Sequence, residues 1–289
     1  MAEKILVIGG TGMLGRFVVR QLVADKYSVR VLARTPDKAF NLFGPTVEVC
    51  AGDLDEAASV QAAMQGVDRV HVSIKGGPTQ ADFDRIEVRG SQTIATAAKQ
   101  SGVRHITYLS AYSILPELAD SMETRAKVKA EQALVNSGVP YTFFRATWFM
   151  ETLPLFIQGK RASLIGNQIH PLHWIAANDY ARMVSQSYRT LAALNKALYI
   201  YGPEALTMRQ ALGAYIQSAA PQAAISAMPV WVFGLLARLS RNVEWISLAD
   251  LMKHTEHTPE HASPDEANRL LGEPTTTLTQ WLAQHKIAS

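Results

Sequence analysis

The chain has 289 residues, 48% of them hydrophobic and 18% charged, with a formal net charge of +3 and one cysteine, Cys50. That is enough chain for one large α/β domain or two small ones. It is too apolar for intrinsic disorder and lacks the second thiol a disulfide framework needs. The lone thiol fits a reducing compartment. The slight basic excess, without a long run of Lys or Arg, gives no reason to expect nucleic acid or an acidic membrane as a partner. The N-terminus passes from Ile5-Leu-Val-Ile8 directly into a glycine turn and has no signal-peptide core. The most apolar later stretch, Pro229 to Leu239, contains Gly234 and Arg238 and is too short to span a bilayer. A soluble, cytoplasmic protein is expected.

Lys4 to Ile8 is a continuous apolar run, the pattern of a strand buried on both faces of a parallel sheet. Leu14, Val18 and Leu22, at i, i+4 and i+8, mark a helix after the glycines. Ser28 to Leu32, Val47 to Ala51, Arg69 to Ile74, His105 to Leu109 and Tyr141 to Arg145 read as further strands with helical segments between them. Six strands alternating with helices imply successive βαβ units, hence an α/β, Rossmann-like, doubly wound parallel sheet. Beyond Arg145, Trp148 to Gln158 reads as helical despite Pro154, as do Asn178 to Thr190 and Thr207 to Ala220. Thr207 and Gln210 have capping-box spacing, and Ser263-Pro264-Asp265-Glu266 combines an N-cap, a first-turn proline and an acid at N3. Ala197 to Tyr201 reads as a strand that returns to the sheet.

Gly9-Gly-Thr-Gly-Met-Leu-Gly15 satisfies G-x-G-x-x-G from Gly10 and lies between the first strand and a helix, the context the motif requires. Such glycines let the backbone turn tightly and approach a pyrophosphate, while the helix N-terminus supplies N–H donors and a positive dipole end. Gly9, Thr11, Gly12, Met13, Leu14 and Gly15 are therefore the expected dinucleotide contacts. The second strand ends in Arg34, with Lys38 close behind, where an NAD-preferring site usually has an acid. A guanidinium there suits the 2′-phosphate of NADP(H), although two solvated cations at a strand end would look the same. Asp53 and Leu54 follow the third strand. Asp53 can accept from an adenine amino group or cap the next helix, and Leu54 can pack on the ring. Ser73 and Lys75 end the fourth strand beside the expected ribose and nicotinamide, though a lysine in a glycine-rich loop is often simply exposed. Residues 1–146 thus read as the NADP(H)-binding domain and 147–289 as a mostly helical, partly interleaved substrate-side cap.

Gly9 to Arg16, Val31-Leu-Ala-Arg34, Gly52-Asp-Leu54, Gly102 to Ser110, Ser137 to Arg145, Trp174 to Asp179 and Gly202 to Thr207 together resemble the short-chain dehydrogenase/reductase superfamily, in its atypical NmrA-like branch. The resemblance implies NADP(H) binding, and either reduction of a small organic molecule or a non-catalytic redox sensor that acts through protein partners. The superfamily's chemistry normally uses Tyr-x-x-x-Lys on the helix after the fifth strand, the lysine lowering the tyrosine pKa and holding the ribose. Lys127 falls at the lysine position, but residue 123 is Glu. Spacing favours a helix-stabilising role for Glu123, as capping partner of Asp120 and i,i+4 partner of Lys127, over a proton-donor role. Tyr112 is the alternative phenol, or else an aromatic pocket wall. Ser110 and Ser113 are possible donors to a substrate carbonyl.

A reductase without the tyrosine suits a conjugated acceptor (a quinone, an enone or a dye), in which the charge change on hydride transfer is dispersed. Trp148, Phe149, Met150 and Trp174 belong near the carboxyl ends of the strands and suggest a hydrophobic pocket, although core packing would select the same residues. Nucleotide-sugar epimerisation leans on the absent tyrosine and is the weaker reading. His254, His257 and His261, with Glu256 and Glu260, are interrupted by Pro259 and read as a solvated helix end, so no metal is expected. There is no G-x-S-x-G or P-loop, and Cys50 has no evident base partner.

Overall fold

The computed structural model describes residues 2–286 apart from 78, 116–117, 120, 241–242 and 261. The strands are β1 (Lys4–Ile8), β2 (Ser28–Ala33), β3 (Glu48–Ala51), β4 (Arg69–Val72), β5 (His105–Ala111), β6 (Tyr141–Ala146), β7 (Ile157–Gln158), β8 (Arg161–Ile165), β9 (Leu172–His173), β10 (Lys196–Ile200), β11 (Ala205–Leu206) and β12 (Ala224–Met228). The helices are α1 (Gly15–Ala24), α2 (Pro36–Phe43), α3 (Ala57–Ala63), α4 (Gln80–Phe83), α5 (Gly90–Gln100), α6 (Met122–Asn136), α7 (Ala177–Ser187), α8 (Met208–Ala219), α9 (Val230–Leu239), α10 (Val243–His257), α11 (Asp265–Leu271) and α12 (Leu278–Lys286).

Seven strands form one parallel sheet in the order β3-β2-β1-β4-β5-β6-β10. Alternation along β1 sends Ile5 and Val7 to the core on one face and Leu6 and Ile8 to the core on the other, which is why the run is apolar throughout. α1, α7 and α11 close the first face; α3, α5 and α6 close the second. Strand order reverses at β1, so a crevice opens above the carboxyl ends of β1 and β4, where doubly wound sheets hold ligands.

The second half contributes β10 beside β6, as Ala197 to Tyr201 suggested, and carries more strand than its sequence indicates. β12-β8-β7 form a small sheet, and β11 pairs with β9. The helix expected over Trp148 to Gln158 does not form. Phe149 makes a β-bridge to Ile175, Met150–Phe156 is a tight 3-10 turn containing Pro154, and Ile157–Gln158 is extended. Pro154 has no N–H to give an α-helical ladder, and the segment closes short turns instead, as where the Thr152 N–H donates to the Phe149 carbonyl at 3.0 Å. Met150, Leu153, Leu164, Trp174, Met208 and Trp281 build a third core here. The Thr207–Gln210 capping box forms, and the Ser263 hydroxyl accepts from the Asp265 N–H at 3.1 Å where α11 begins.

The apolar Pro229 to Leu239 stretch becomes α9, which packs on α10 as a lid. Phe233, Trp245, Leu248 and Leu251 line the cavity described below, whereas Trp231 (73% exposed), Leu235 and Leu239 face outward. The far half of α10 is strapped down: the Gln168 amide donates to the Met252 carbonyl at 2.8 Å, and the Thr255 hydroxyl donates to the Gln168 side-chain oxygen at 2.8 Å. The carboxylates read as a solvated helix end are in fact anchors. Glu256 accepts from the Asn167 N–H at 2.6 Å. Glu260, its side chain 4% exposed, accepts from the Thr147 hydroxyl and from the His173 N–H, with the His173 Nδ1 at 2.6 Å. Among the described residues no three potential metal ligands cluster, and no helix is long and apolar enough to cross a membrane. His261 lies outside the described residues.

A buried polar chain runs through the first face of the sheet. The His71 Nδ1 lies 2.8 Å from the Thr107 hydroxyl, which is 2.7 Å from the Tyr188 hydroxyl; the Tyr180 hydroxyl lies 3.2 Å from the His71 Nε2. Next to it, the His105 Nε2 lies 2.9 Å from the Thr142 hydroxyl. Burial pushes the pKa of His71 down to about 3; burial, then the nearby Arg69 charge, does the same to His105. Both are neutral in the folded protein and titrate near 6.5 once unfolded. The unfolded chain therefore gains protons first as pH falls, and stability is lost from about pH 6.5 down to about pH 3. At up to about 1.4 kcal/mol per group per pH unit, going from pH 7 to pH 5 should cost about 4 kcal/mol. Denaturant unfolding at the two pH values measures this directly; equal midpoints would show that the two imidazoles are not held neutral.

Candidate active site

A single cavity of about 1160 Å³ runs from the glycine turn, past the ends of β4, β5 and β6, to the α9–α10 lid. At its first end the turn is shaped by its own glycines. Gly9 has φ +82°, and a Cβ there would meet the Ser73 carbonyl oxygen at 2.0 Å. A Cβ at Gly15 would meet the Gly9 oxygen at 2.2 Å. Gly15 thus serves the close approach of helix to turn and lies off the cavity wall, while Gly9, Thr11, Gly12, Met13 and Leu14 line it. Among the described residues no side chain caps α1, and its first turn holds no acid, which leaves the positive end of the helix to a ligand. The donor set and the open cradle fit a pyrophosphate.

Arg34 and Lys38 stand exposed on the same wall after β2, and neither forms an ion pair with a described residue. Asp53 and Leu54 also line it. Asp53 is not the cap of α3: Glu56 holds that position, and an Asp53 oxygen accepts from the Asp55 N–H at 3.1 Å. Ser73 and Lys75 border the cavity above β4.

Lys127 reaches the wall but is only 5% exposed, and its ammonium is fully engaged. It lies 3.0 Å from Glu87 and donates to the Leu109 carbonyl at 3.1 Å and the Ile74 carbonyl at 3.4 Å. Its partner is therefore Glu87, not Glu123 as the spacing suggested. Glu87 is completely buried and sits in a π-helical turn, Asp84–Arg89. It also accepts from the Tyr108 hydroxyl at 2.7 Å and the Gly76 N–H at 3.0 Å. This cluster ties the loop after β4 to the end of β5. Burial and then the Glu87 charge raise the Tyr108 phenol well above its usual pKa, so it remains a donor. Glu123 lines the cavity in the first turn of α6, whose cap is Ser121; Asp120 lies outside the described residues.

The Ser110 hydroxyl donates to Glu131 at 2.6 Å, and Arg145 grips both oxygens of Glu131 at 3.2 and 2.7 Å, so that donor is spent. Three other buried polar atoms on this wall have no hydrogen-bond partner among the described residues: the Tyr112 hydroxyl, the Ser113 hydroxyl and the Trp148 indole N–H. The indole lies beside the Tyr112 phenol without being aligned to bond to it, and burial pushes the phenol's pKa above its ordinary value. Phe149 lines the cavity with Trp148, Leu155 and Phe156. Met150 and Trp174, expected in the pocket, lie instead in the third core; the Trp174 indole donates to the Leu206 carbonyl at 3.1 Å. Trp148 and Phe149 both reach the cavity, whereas the chain turns into the 3-10 segment at Met150, which carries that side chain into the third core.

Strand order and glycine turn together define a protein of the Rossmann-fold, NAD(P)-binding class. A family model described as the NmrA-like family matches residues 1–278, and the chain belongs to that family. It is 33% identical over 209 residues to a (4-alkanoyl-5-oxo-2,5-dihydrofuran-3-yl)methyl phosphate reductase of Streptomyces griseus, covering 71% of this chain and 70% of that one. It is 33% identical over 208 residues to an NAD(P)H azoreductase of Xenophilus azovorans, covering 70% and 69%. Among solved structures, an NADPH-dependent quinone oxidoreductase from Escherichia coli, complexed with NADPH, superposes with a TM-score of 0.74 at 21% identity over 97% of this chain and 99% of that one.

Proposed function

We propose that this protein is an NADPH-dependent reductase that passes hydride to a small, conjugated organic acceptor. The observation that carries the reading is one continuous cavity with a phosphate cradle at one end and an aromatic chamber at the other, and three unpartnered donors between them. Reductases among the relatives at 33% identity, one an azoreductase and one acting on a conjugated furanone, point the same way.

In this reading the Thr11 to Leu14 backbone holds the pyrophosphate, Arg34 and Lys38 the 2′-phosphate, and Asp53 and Leu54 the adenine, while Ser73 and Lys75 border the ribose and nicotinamide. A reduced nicotinamide, when bound, supplies the hydride. Lys127 acts as a positioning residue: with Glu87 it fixes the Ile74–Gly76 loop, and all its donors are engaged. Tyr112 and Trp148 hold the acceptor's electronegative atom. The raised pKa keeps the phenol protonated, so it donates to charge developing there and does not act as a base. The lid residues Phe233, Trp245 and Leu248 exclude water from the acceptor. The test is to mix the protein with NADPH and a panel of quinones, azo dyes and enones and follow absorbance at the nicotinamide band. Acceptor-dependent oxidation is expected; tight NADPH binding without oxidation by any acceptor would sink the proposal.

A further inference from the structure

One wall of the cavity has a chemistry that the cofactor leaves unused. In the small C-terminal sheet, Ser163 on β8 pairs with Ser226 on β12, and Gln158 on β7 pairs with Arg161 on β8. Alternation along β8 buries Ala162 and Leu164, with Leu164 in the third core, and leaves Arg161 and Ser163 on the other side. Gln158, Arg161, Ser163 and Ser226 therefore form one contiguous polar patch, and all four line the cavity.

Around this patch the wall is apolar, with Phe156, Met228 and Phe233. Apolar side chains alone would hold a flat conjugated molecule, so packing does not account for a guanidinium and three polar partners in register. The Arg161 Nη2 donates to the Ser226 hydroxyl at 3.1 Å, and Arg161 forms no ion pair with a described residue. Its fork has five N–H donors, and most remain available to a planar or tetrahedral anion. The carboxylates that line the cavity, Asp53, Asp55 and Glu123, come from the segment after β3 and from α6, not from this sheet. Arg161 is also separate from the Arg34–Lys38 pair, which stands after β2 on the central sheet.

We propose that Arg161, with Gln158, Ser163 and Ser226, binds an anionic substituent of the acceptor: a carboxylate, a sulfonate or a phosphate monoester. The acceptor is then bipolar, its conjugated body in the aromatic chamber beside Trp148 and its anionic group on the β8–β12 wall. This assignment rests on the reductase reading and narrows its substrate class.

The test compares 1,4-naphthoquinone with its 2-sulfonate in the wild type, Arg161→Met and Arg161→Lys. The preference for the sulfonate, as the ratio of the two kcat/KM values, should fall tenfold or more in Arg161→Met, mainly through KM, and be partly restored in Arg161→Lys. An unchanged ratio would overturn the assignment. So would a matching loss of NADPH affinity in Arg161→Met, read by fluorescence titration, because Arg161 would then belong to the cofactor site. If the wild type reduces neither quinone, the reductase reading is decided separately by the wider panel of acceptors. Calorimetric binding of the sulfonate to the NADP⁺-loaded protein then tests the anion site alone, with weaker binding to Arg161→Met expected and equal binding contradicting it.

Discussion

Lys127→Met should lower unfolding free energy by about 3–5 kcal/mol and the melting temperature by about 5–8 °C. The effect follows from what the substitution leaves behind. Glu87 is fully buried, and without the ammonium it is a charge in the interior with only the Tyr108 hydroxyl and the Gly76 N–H to stabilise it. Glu87 must then either take up a proton or draw in water, and the loop after β4 loses its tie to β5. Adding Glu87→Gln removes the stranded charge, so the double variant should recover part of the loss. Thermal and denaturant unfolding of the three proteins measures this. A single variant as stable as the wild type would mean that the pair is solvated and that Lys127 is free to do something else.

Arg34→Ala should weaken NADPH binding about 30- to 100-fold and NADH binding by less than about threefold. A charge-assisted pair with a phosphate contributes roughly 2–3 kcal/mol, and NADH has no 2′-phosphate to lose. Arg34 is exposed at the end of β2 without an ion-pair partner among the described residues, so removing it leaves no buried group unsatisfied and the fold should tolerate the change. Fluorescence titration with both cofactors decides the point. Equal losses for NADPH and NADH would place the guanidinium away from the 2′ position and remove the basis for NADP(H) preference.

The first half of the chain was readable in the sequence for a physical reason. Strands buried on both faces are apolar throughout, as in Ile5 to Ile8, and the glycines that make the turn possible cannot be replaced by residues with a Cβ. The second half was less readable because its strands are short and half exposed. Arg161–Ile165 and Ala224–Met228 contain Arg, Ser and Ala in place of β-branched runs, and the cue to β8 is one two-residue turn, Gly159-Lys160, between short strands. Arg161 escaped notice for that reason: without β8 there is no face to put it on. The pairing of Lys127 was hidden by distance. Helical spacing offers Glu123, but the actual partner lies 40 residues upstream in an irregular turn that no periodicity reveals. Trp148 and Met150 are both large and apolar, and the onset of the 3-10 turn at Met150 decides that one meets the cavity and the other the core.

In the proposed reaction cofactor and acceptor meet in one cavity and hydride passes straight from one to the other. The hydride can be traced with NADPH deuterated at one or the other C4 position and 4-phenyl-3-buten-2-one as acceptor, because hydrogen delivered to the β-carbon of this enone does not exchange with water. Mass spectrometry of the saturated ketone should find deuterium at that carbon from one labelled form of NADPH and none from the other, as a fixed geometry in a single cavity requires. A reduced product without deuterium from either form, or with equal deuterium from both, would contradict direct transfer in this site.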